Sequence, residues 1–381
     1  MRIIVASSSF PTHPDEAINA GVFVWAVTES LAQQGHEVWV FTPDKGEPMR
    51  GFPVPVETFQ WGGREKVLTR LDPRRPGGLY RLARLMFHGR SALVRLARRV
   101  HAEGILATWV IPSGFWAAGC GIPFAVWALG SDIWGVARYP FGKQITRHVL
   151  SNADHVFANS YYLIDEIEKL AGRPAEFLAA ARKLPVETTA PASLPSTLPS
   201  TGPQFLFIGR WDPAKGPDIL LESMALLKTD LPDAHLHFFG GGPMESALRE
   251  RASQPDLKDV VTVYGYADPV TATAYLKACD ALVIPSRIES IPVLFSDAMA
   301  CGCPVVSTAV GDLERLVHEN GVGLTCPPED PHALATAMLK IVTDDREARV
   351  KYAAAIERSC RLFDPAQSAR RCVEVLATAR H

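Results

Sequence analysis

The chain has 381 residues, more than a single hydrophobic core ordinarily supports, so two domains are expected. Its 47% hydrophobic and 21% charged residues exclude disordered, collagen-like and disulfide-dense classes. A formal net charge of −2 excludes a global attraction to nucleic acid or anionic lipid, leaving only local patches to serve such partners.

The opening RIIVASSS reads as a strand. A loop follows through Pro11 to Gly21, then the helical VFVWAVTESLAQQG and a second strand, HEVWVFTP. The opening apolar run reaches Pro11 and Asp15 too soon for a secretory signal, and the seven cysteines show neither CxxC nor His-rich metal spacing. Reduced thiols in a cytoplasmic protein are the expectation.

Basic residues dominate between Arg64 and Arg99. Within that stretch Leu82, Leu85, Met86, Leu93, Leu96 and Val100 form an apolar stripe at helical spacing. An ordinary core-facing helix with a cationic outer face accounts for the pattern. So does peripheral contact with anionic lipid on the inner face of a membrane. Aromatic residues are too sparse here to suggest nucleic acid.

Residues 104–131 carry no charge, but Pro112, Pro123 and five glycines break them into ILATWVI and PFAVWAL. Buried parallel strands are expected from this pattern, not a membrane span. ADHVFANS and the helical YYLIDEIEKLAG complete the first alternation.

The texture then changes to PVETTAPASLPSTLPSTGP. The expected division is residues 1–190 as an N-terminal Rossmann-like domain, 191–203 as a Pro/Ser/Thr-rich linker and 204–360 as a second, C-terminal domain. A C-terminal helix over 361–381 is expected to pack back on the first domain. The second half alternates in the same way: QFLFIGR, DILLESMALLKTD, AHLHFFGGG, VVTVYG, TATAYLKACD, ALVIPS, a helix near 293–300, then PVVST. The fold class is therefore α/β, with two doubly wound Rossmann-like domains facing a cleft, and ligands beyond the carboxyl ends of the strands.

Two segments carry chemistry. Gly209-Arg210-Trp211-Asp212-Pro213-Ala214-Lys215-Gly216 leaves a strand and enters a helix. Its two cations suit a departing diphosphate, although solvated loop residues look the same. Ile284-Pro285-Ser286-Arg287-Ile288-Glu289-Ser290-Ile291-Pro292 also joins strand to helix, with Asp297 eight residues beyond Glu289. At ~1.5 Å rise per residue the two carboxylates would stand about 10 Å apart. One could accept from sugar hydroxyls and the other from a ribose, with helix N–H groups between them. An acidic loop residue and a dipole-favoured acidic residue in the helix would look the same. Gly240-Gly241-Gly242-Pro243 ends a further strand, but no GxGxxG follows the first strand, which argues against a dinucleotide site.

Together these segments, with the frame ALVIPSRIESIPVLFSDAMACGCPVVST, resemble the retaining GT-B glycosyltransferases of family 4. The resemblance implies transfer of a hexose-type sugar from a nucleotide-diphosphate donor to a glycan or lipid-linked acceptor, with retention through a front-side displacement. By position it assigns Gly209, Arg210 and Lys215 to the diphosphate, Glu289 to the sugar, and Asp297 to the ribose where the family has Glu. Ser290, Ile291 and Pro292 fall where backbone N–H groups meet the donor, Gly241 where a turn approaches it, and Gly21 where a helix N-terminus approaches phosphate. Gly21 reads equally as a simple loop glycine.

Leu129-Gly130-Ser131-Asp132 is similar to a His-Gly-Ser/Thr-Asp segment with Leu129 in place of the histidine. Asp132 either orients an acceptor hydroxyl or caps the following helix. No Asp-x-Asp occurs, so no metal or other cofactor is expected. A nucleotide-sugar epimerase of the same architecture and a non-catalytic nucleotide-sugar binding module are the alternatives.

Overall fold

The computed structural model describes residues 1–14, 21–63, 76–135, 141–185 and 202–379. Residues 191–201 of the expected linker, residues 64–75 of the basic stretch and residues 15–20 of the first loop lie outside the described residues. The chain forms two compact units, Met1–Arg182 with Asp364–His381, and Lys183–Phe363.

The first unit holds a seven-stranded, wholly parallel sheet. Its strands are β1 (Arg2–Ser7), β2 (Glu37–Pro43), β3 (Val56–Phe59), β4 (Gly104–Thr108), β5 (Phe124–Ala128), β6 (His155–Ala158) and β7 (Glu176–Phe177), in the order β3-β2-β1-β4-β5-β6-β7. Every residue of β4 and β5 is buried, as strands covered on both faces require, so both apolar runs of the uncharged segment 104–131 form sheet strands. Among the described residues no helix is long and apolar enough to cross a membrane.

Trp116 anchors this core. Its ring meets Phe41 and Phe59 edge-on at 5.7 and 5.2 Å, and its indole N–H donates to the Leu85 carbonyl. The C-terminal helix Pro365–Thr378 belongs to this unit and packs on Val22–Gln33. There Gln34 donates to the Ala366 carbonyl at 2.8 Å, and Arg371 grips Glu176 through two nitrogens at 2.8 and 2.9 Å. That guanidinium holds the Glu176 carboxyl below the usual carboxylate range.

The second unit repeats the plan with six parallel strands: β8 (Gln204–Arg210), β9 (His235–Gly241), β10 (Val261–Val263), β11 (Ala281–Ile284), β12 (Val305–Thr308) and β13 (Gly323–Cys326). Their order is β10-β9-β8-β11-β12-β13. In each sheet the chain winds one way from its first strand and then the other, so a topological switch point opens beside β1 and beside β8. Asp-Pro pairs start four helical segments, at Asp212-Pro213, Asp268-Pro269, Asp330-Pro331 and Asp364-Pro365. In each the carboxylate accepts a backbone N–H, and proline fills a position whose own N–H would go unused.

Between β8, β9 and β10 runs a buried polar chain. His237, fully buried, meets Gln204 Oε1 through Nε2 at 2.9 Å and the Tyr264 hydroxyl through Nδ1 at 3.2 Å, and Tyr275 donates to Tyr264 at 3.2 Å. Gln204 Nε2 donates to Gly202, which leaves its Oε1 to accept from the imidazole. His237 is thus held neutral, and burial pulls its pKa down to about 4. The unfolded chain binds this proton from about pH 6.5 downward and the folded chain only near pH 4, so stability falls as pH drops through that window. Urea titrations at pH 7, 6 and 5 should show the loss, and His237→Gln should flatten the dependence over the same range. An unchanged slope would mean that the buried chain does not carry this linkage.

Candidate active site

The switch point of the second unit brings together two loops, residues 211–216 after β8 and residues 285–292 after β11. Lys215 on the first donates to the Glu289 carboxylate on the second. Both side chains are largely enclosed, 24% and 12% exposed. Glu289 also accepts from its neighbour's amide, Ser290 N, at 3.2 Å, and more loosely from the buried Ser286 hydroxyl at 3.5 Å.

Backbone proximity makes this pair. Gly216 has φ of +62°, and a Cβ there would stand 2.0 Å from the Pro285 carbonyl oxygen. On the other side Gly311, at φ of +55°, would place a Cβ 2.0 Å from the carbonyl oxygen of Glu289 itself. Those contacts are with backbone atoms, so no side chain can yield.

The two loops are then laced together. The amides of Arg287 and Ile288 both donate to Ala214 O, at 2.8 and 3.2 Å. The Arg287 guanidinium donates to both oxygens of Asp218 at 2.8 Å, to Pro213 O at 2.8 Å, and to Glu329. Glu329 reaches it from a left-handed backbone, φ +60°. This bidentate clamp holds the Asp218 carboxyl below its ordinary range.

Arg210, at the end of β8, is different in kind. It is 70% exposed and engages Asp212 at 3.1 Å, while the other Asp212 oxygen caps the turn through Ala214 N at 3.1 Å. Gly209 precedes it, close against the Phe207 ring. In register opposite Arg210 lies Gly241. There the hydroxyl end of the Tyr266 ring sits close to the backbone: a Cβ at Gly241 would be 2.9 Å from the ring, and the Tyr266 hydroxyl donates to Gly241 O at 3.1 Å. Tyr266 is nonetheless 62% exposed. Beneath Arg210, Trp211 is fully buried, stacked on Phe238 at 5.4 Å with Arg249 over its face at 5.4 Å.

The remaining residues expected here sit as follows. Ser290, Ile291 and Pro292 lead into the helix Val293–Cys301, which Pro292 opens without a side-chain cap. The Ser290 hydroxyl is buried without a hydrogen-bond partner. Asp297 lies inside that helix and is 1% exposed, so it is walled in, whereas Glu289 stands at the loop.

Gly21 and Asp132 belong to the first unit. Gly21 begins the helix Val22–Gln33, and a Cβ there would stand 2.6 Å from Ser9 O and 2.9 Å from the Phe10 Cα. Its lack of a side chain is therefore required by the loop after β1. Asp132 is 5% exposed and accepts from Val110 N at 2.7 Å and Leu129 N at 3.1 Å, joining the segments after β4 and β5. The backbone of Gly130 and Asp132 at the start of the helix Ser131–Trp134 also supports the carboxylate, so Asp132 serves the helix start and ties it to the segment after β4. Burial raises the Asp132 pKa to about 6, against the lowering effect of the backbone donors.

Sequence reasoning passed over Arg287, Asp218, Gly311 and Tyr266. Arg287 lies inside a segment already singled out, Asp218 sits in the first turn of the helix after β8, and Gly311 and Tyr266 follow strand ends. Their partners, 22 to 74 residues away in sequence, were not readable.

The family model for glycosyl transferases group 1 matches residues 193–358, and the model for Glycosyltransferase Family 4 matches residues 20–178. The chain belongs to the group 1 glycosyltransferases. It is similar to the D-inositol 3-phosphate glycosyltransferase of Jonesia denitrificans, 32% identical over 169 residues that cover 42% of this chain and 40% of that protein. Thus the match spans about two-fifths of that relative's length. The GT-B fold is shared with sucrose-phosphate synthase from Thermosynechococcus elongatus, at TM-score 0.77 and 23% identity over 99% of both chains. It is shared also with Anabaena HepE in complex with UDP, at TM-score 0.72 and 16% identity over 99% of this chain and 100% of that one.

The glycine contacts make a direct test. Gly216→Ala should cost about 1–3 kcal/mol of stability, since it sets a left-handed alanine against a carbonyl. Gly265→Ala, where a Cβ meets nothing within 4 Å, should be near neutral. Equal melting temperatures for the two variants would show that the 285–289 loop can retreat.

Proposed function

We propose that the protein is a retaining glycosyltransferase that moves a hexose-type sugar from a nucleotide-diphosphate donor to a glycan or lipid-linked acceptor. The observation that carries this reading is the Lys215–Glu289 pair at the switch point of the second sheet, where open parallel sheets hold their ligands.

Along the carboxyl edge of that sheet stand, in strand order, Tyr266 after β10, Gly241 on β9, Arg210 and Lys215 at β8, and Glu289 after β11. Three strand spacings of about 4.8 Å separate the ends of this row, about 14 Å, which is the scale of a nucleotide-sugar. The exposed Tyr266 face offers stacking to the base, the two cations meet the diphosphate, and Glu289 accepts hydrogen bonds from sugar hydroxyls. HepE has been solved in complex with UDP-glucose, which supports a donor of this class.

When the bond to the anomeric carbon breaks, negative charge grows on the leaving phosphate, and Arg210 and Lys215 are placed to stabilise it without reorganisation. Retention follows if the acceptor hydroxyl attacks from the face the phosphate leaves, with a phosphate oxygen taking the proton. The two cations supply the neutralisation that a divalent metal would otherwise give, so turnover should survive EDTA.

UDP, GDP and ADP, alone and as sugar conjugates, should be screened by thermal shift, because a ligand bound only by the folded chain raises its melting temperature. One nucleotide family should stabilise the protein. Arg210→Ala, at an exposed position, should weaken that nucleotide roughly 10- to 100-fold while leaving the unliganded melting temperature unchanged. Silence from every nucleotide would sink the reading.

Tyr266→Ala should weaken the same nucleotide by about 1–3 kcal/mol, the range for one base stacked on an aromatic ring, and Tyr266→Phe much less. Should Glu289→Gln leave donor consumption intact, Glu289 has no part in the reaction. Release of an altered free sugar without any acceptor would point to an epimerase.

A further inference from the structure

The helical run 76–99 of the first unit has two faces. Leu85, Met86, Leu93 and Leu96 are buried and form the core-facing side expected of it. On the opposite side every fourth residue is exposed: Leu79, Ala83, Phe87, Ser91, Arg95 and Arg99. A helix seated on a core ordinarily turns polar groups outward. Here Leu79, Tyr80 and Phe87 are 53%, 62% and 65% exposed, three of the ten large apolar side chains exposed among the described residues, all within residues 79–87.

They are held in place. Arg84 lies over the Tyr80 ring at 6.0 Å, and Phe87 meets Phe115 edge-on at 5.9 Å. The same face is then continued by cations. Six arginines and no acidic residue occur between residues 76 and 99. Arg99 pairs with Glu57 at 2.9 Å, whereas the exposed Arg95 and Arg98 have no ion-pair partner among the described residues.

We propose that this face docks on an anionic lipid bilayer, with Leu79, Tyr80 and Phe87 entering the interface and Arg95 and Arg98 meeting the headgroup charge. Charge complementarity selects this occupant: a helical face with apolar tips and arginines but no acidic residue of its own fits a surface that is uniformly negative above and apolar below. An acidic protein would reward the arginines but not three protruding apolar side chains beside them. The inference stands apart from the donor site and needs no nucleotide. It would place a lipid-linked acceptor within reach.

Full-length protein should be sedimented with vesicles of phosphatidylcholine alone and with phosphatidylglycerol added. Binding is expected only to the anionic vesicles, and it should weaken as salt rises. Arg95→Gln with Arg98→Gln should lower the partition coefficient about 25-fold, at about fivefold per arginine. Leu79→Ser with Phe87→Ser should lower it about tenfold while keeping the parent melting temperature. Equal binding to both vesicles, no binding, or binding unchanged in both variants would overturn the proposal. So would light scattering that shows a lipid-free oligomer which Leu79→Ser with Phe87→Ser dissolves, since the face would then belong to a second copy of the chain.

Discussion

Everything at the candidate site depends on one constraint: a parallel strand must return to its starting edge before the next can be laid, so all of its functional loops leave from the carboxyl edge. In the second unit β8 is flanked by β9 on one side and β11 on the other. The loops after β8 and β11 therefore emerge side by side, although Lys215 and Glu289 are 74 residues apart in sequence. No local signal unites them. Their meeting follows from strand order.

Strand order alone would leave two mobile loops, and the sequence fixes them by removing side chains and by matching charges. Gly216 and Gly311 let the backbone of residues 285–289 be gripped from both sides at distances no Cβ tolerates. Arg287 then ties that loop to Asp218, Pro213 and Glu329. This guanidinium is 22% exposed and meets two carboxylates and a carbonyl, so its geometry is over-determined. Removing one partner would leave a half-buried charge short of donors or acceptors, which is the costly way to break such a cluster. Arg287 is a positioning residue: it fixes where Glu289 stands and has no need to touch a substrate.

The fold was legible because buried parallel strands write themselves as short apolar runs bounded by glycine and proline. ILATWVI and PFAVWAL were distinguishable from a membrane span for that reason, and β4 and β5 are buried throughout. The loops carrying Arg210, Lys215 and Glu289 were legible as departures from apolar pattern at strand ends. What stayed hidden was partner choice. Asp132 looked like a helix cap because it sits at a helix start, and its carboxylate also reaches the amide of Val110, 22 residues away after β4, a partner that no local pattern announces. Gly21 looked like an opening for phosphate, and the structure shows its missing side chain already demanded by Ser9 and Phe10. Tyr266 carried no motif at all, since its place depends on a hydrogen bond to the carbonyl of Gly241, 25 residues earlier.

The charges around Glu289 also sort themselves by how readily each could change partner. Every cation of the two loops is already matched to a carboxylate: Arg210 to Asp212, Lys215 to Glu289, Arg287 to Asp218 and Glu329. An incoming dianion must compete with those partners. At 70% exposure the Arg210–Asp212 contact is a surface ion pair, worth about 0–1 kcal/mol, so giving it up for a phosphate costs little. Arg287 has three partners to lose and would not move. Lys215 lies between these cases, enclosed with Glu289, and a diphosphate beside it need not separate the pair, because an ammonium has three donors and the carboxylate uses one. A site arranged in this way keeps its cations oriented and its loops fixed while leaving one exposed guanidinium able to change partner, which is the distribution of stiffness that exchange of the proposed charged donor calls for.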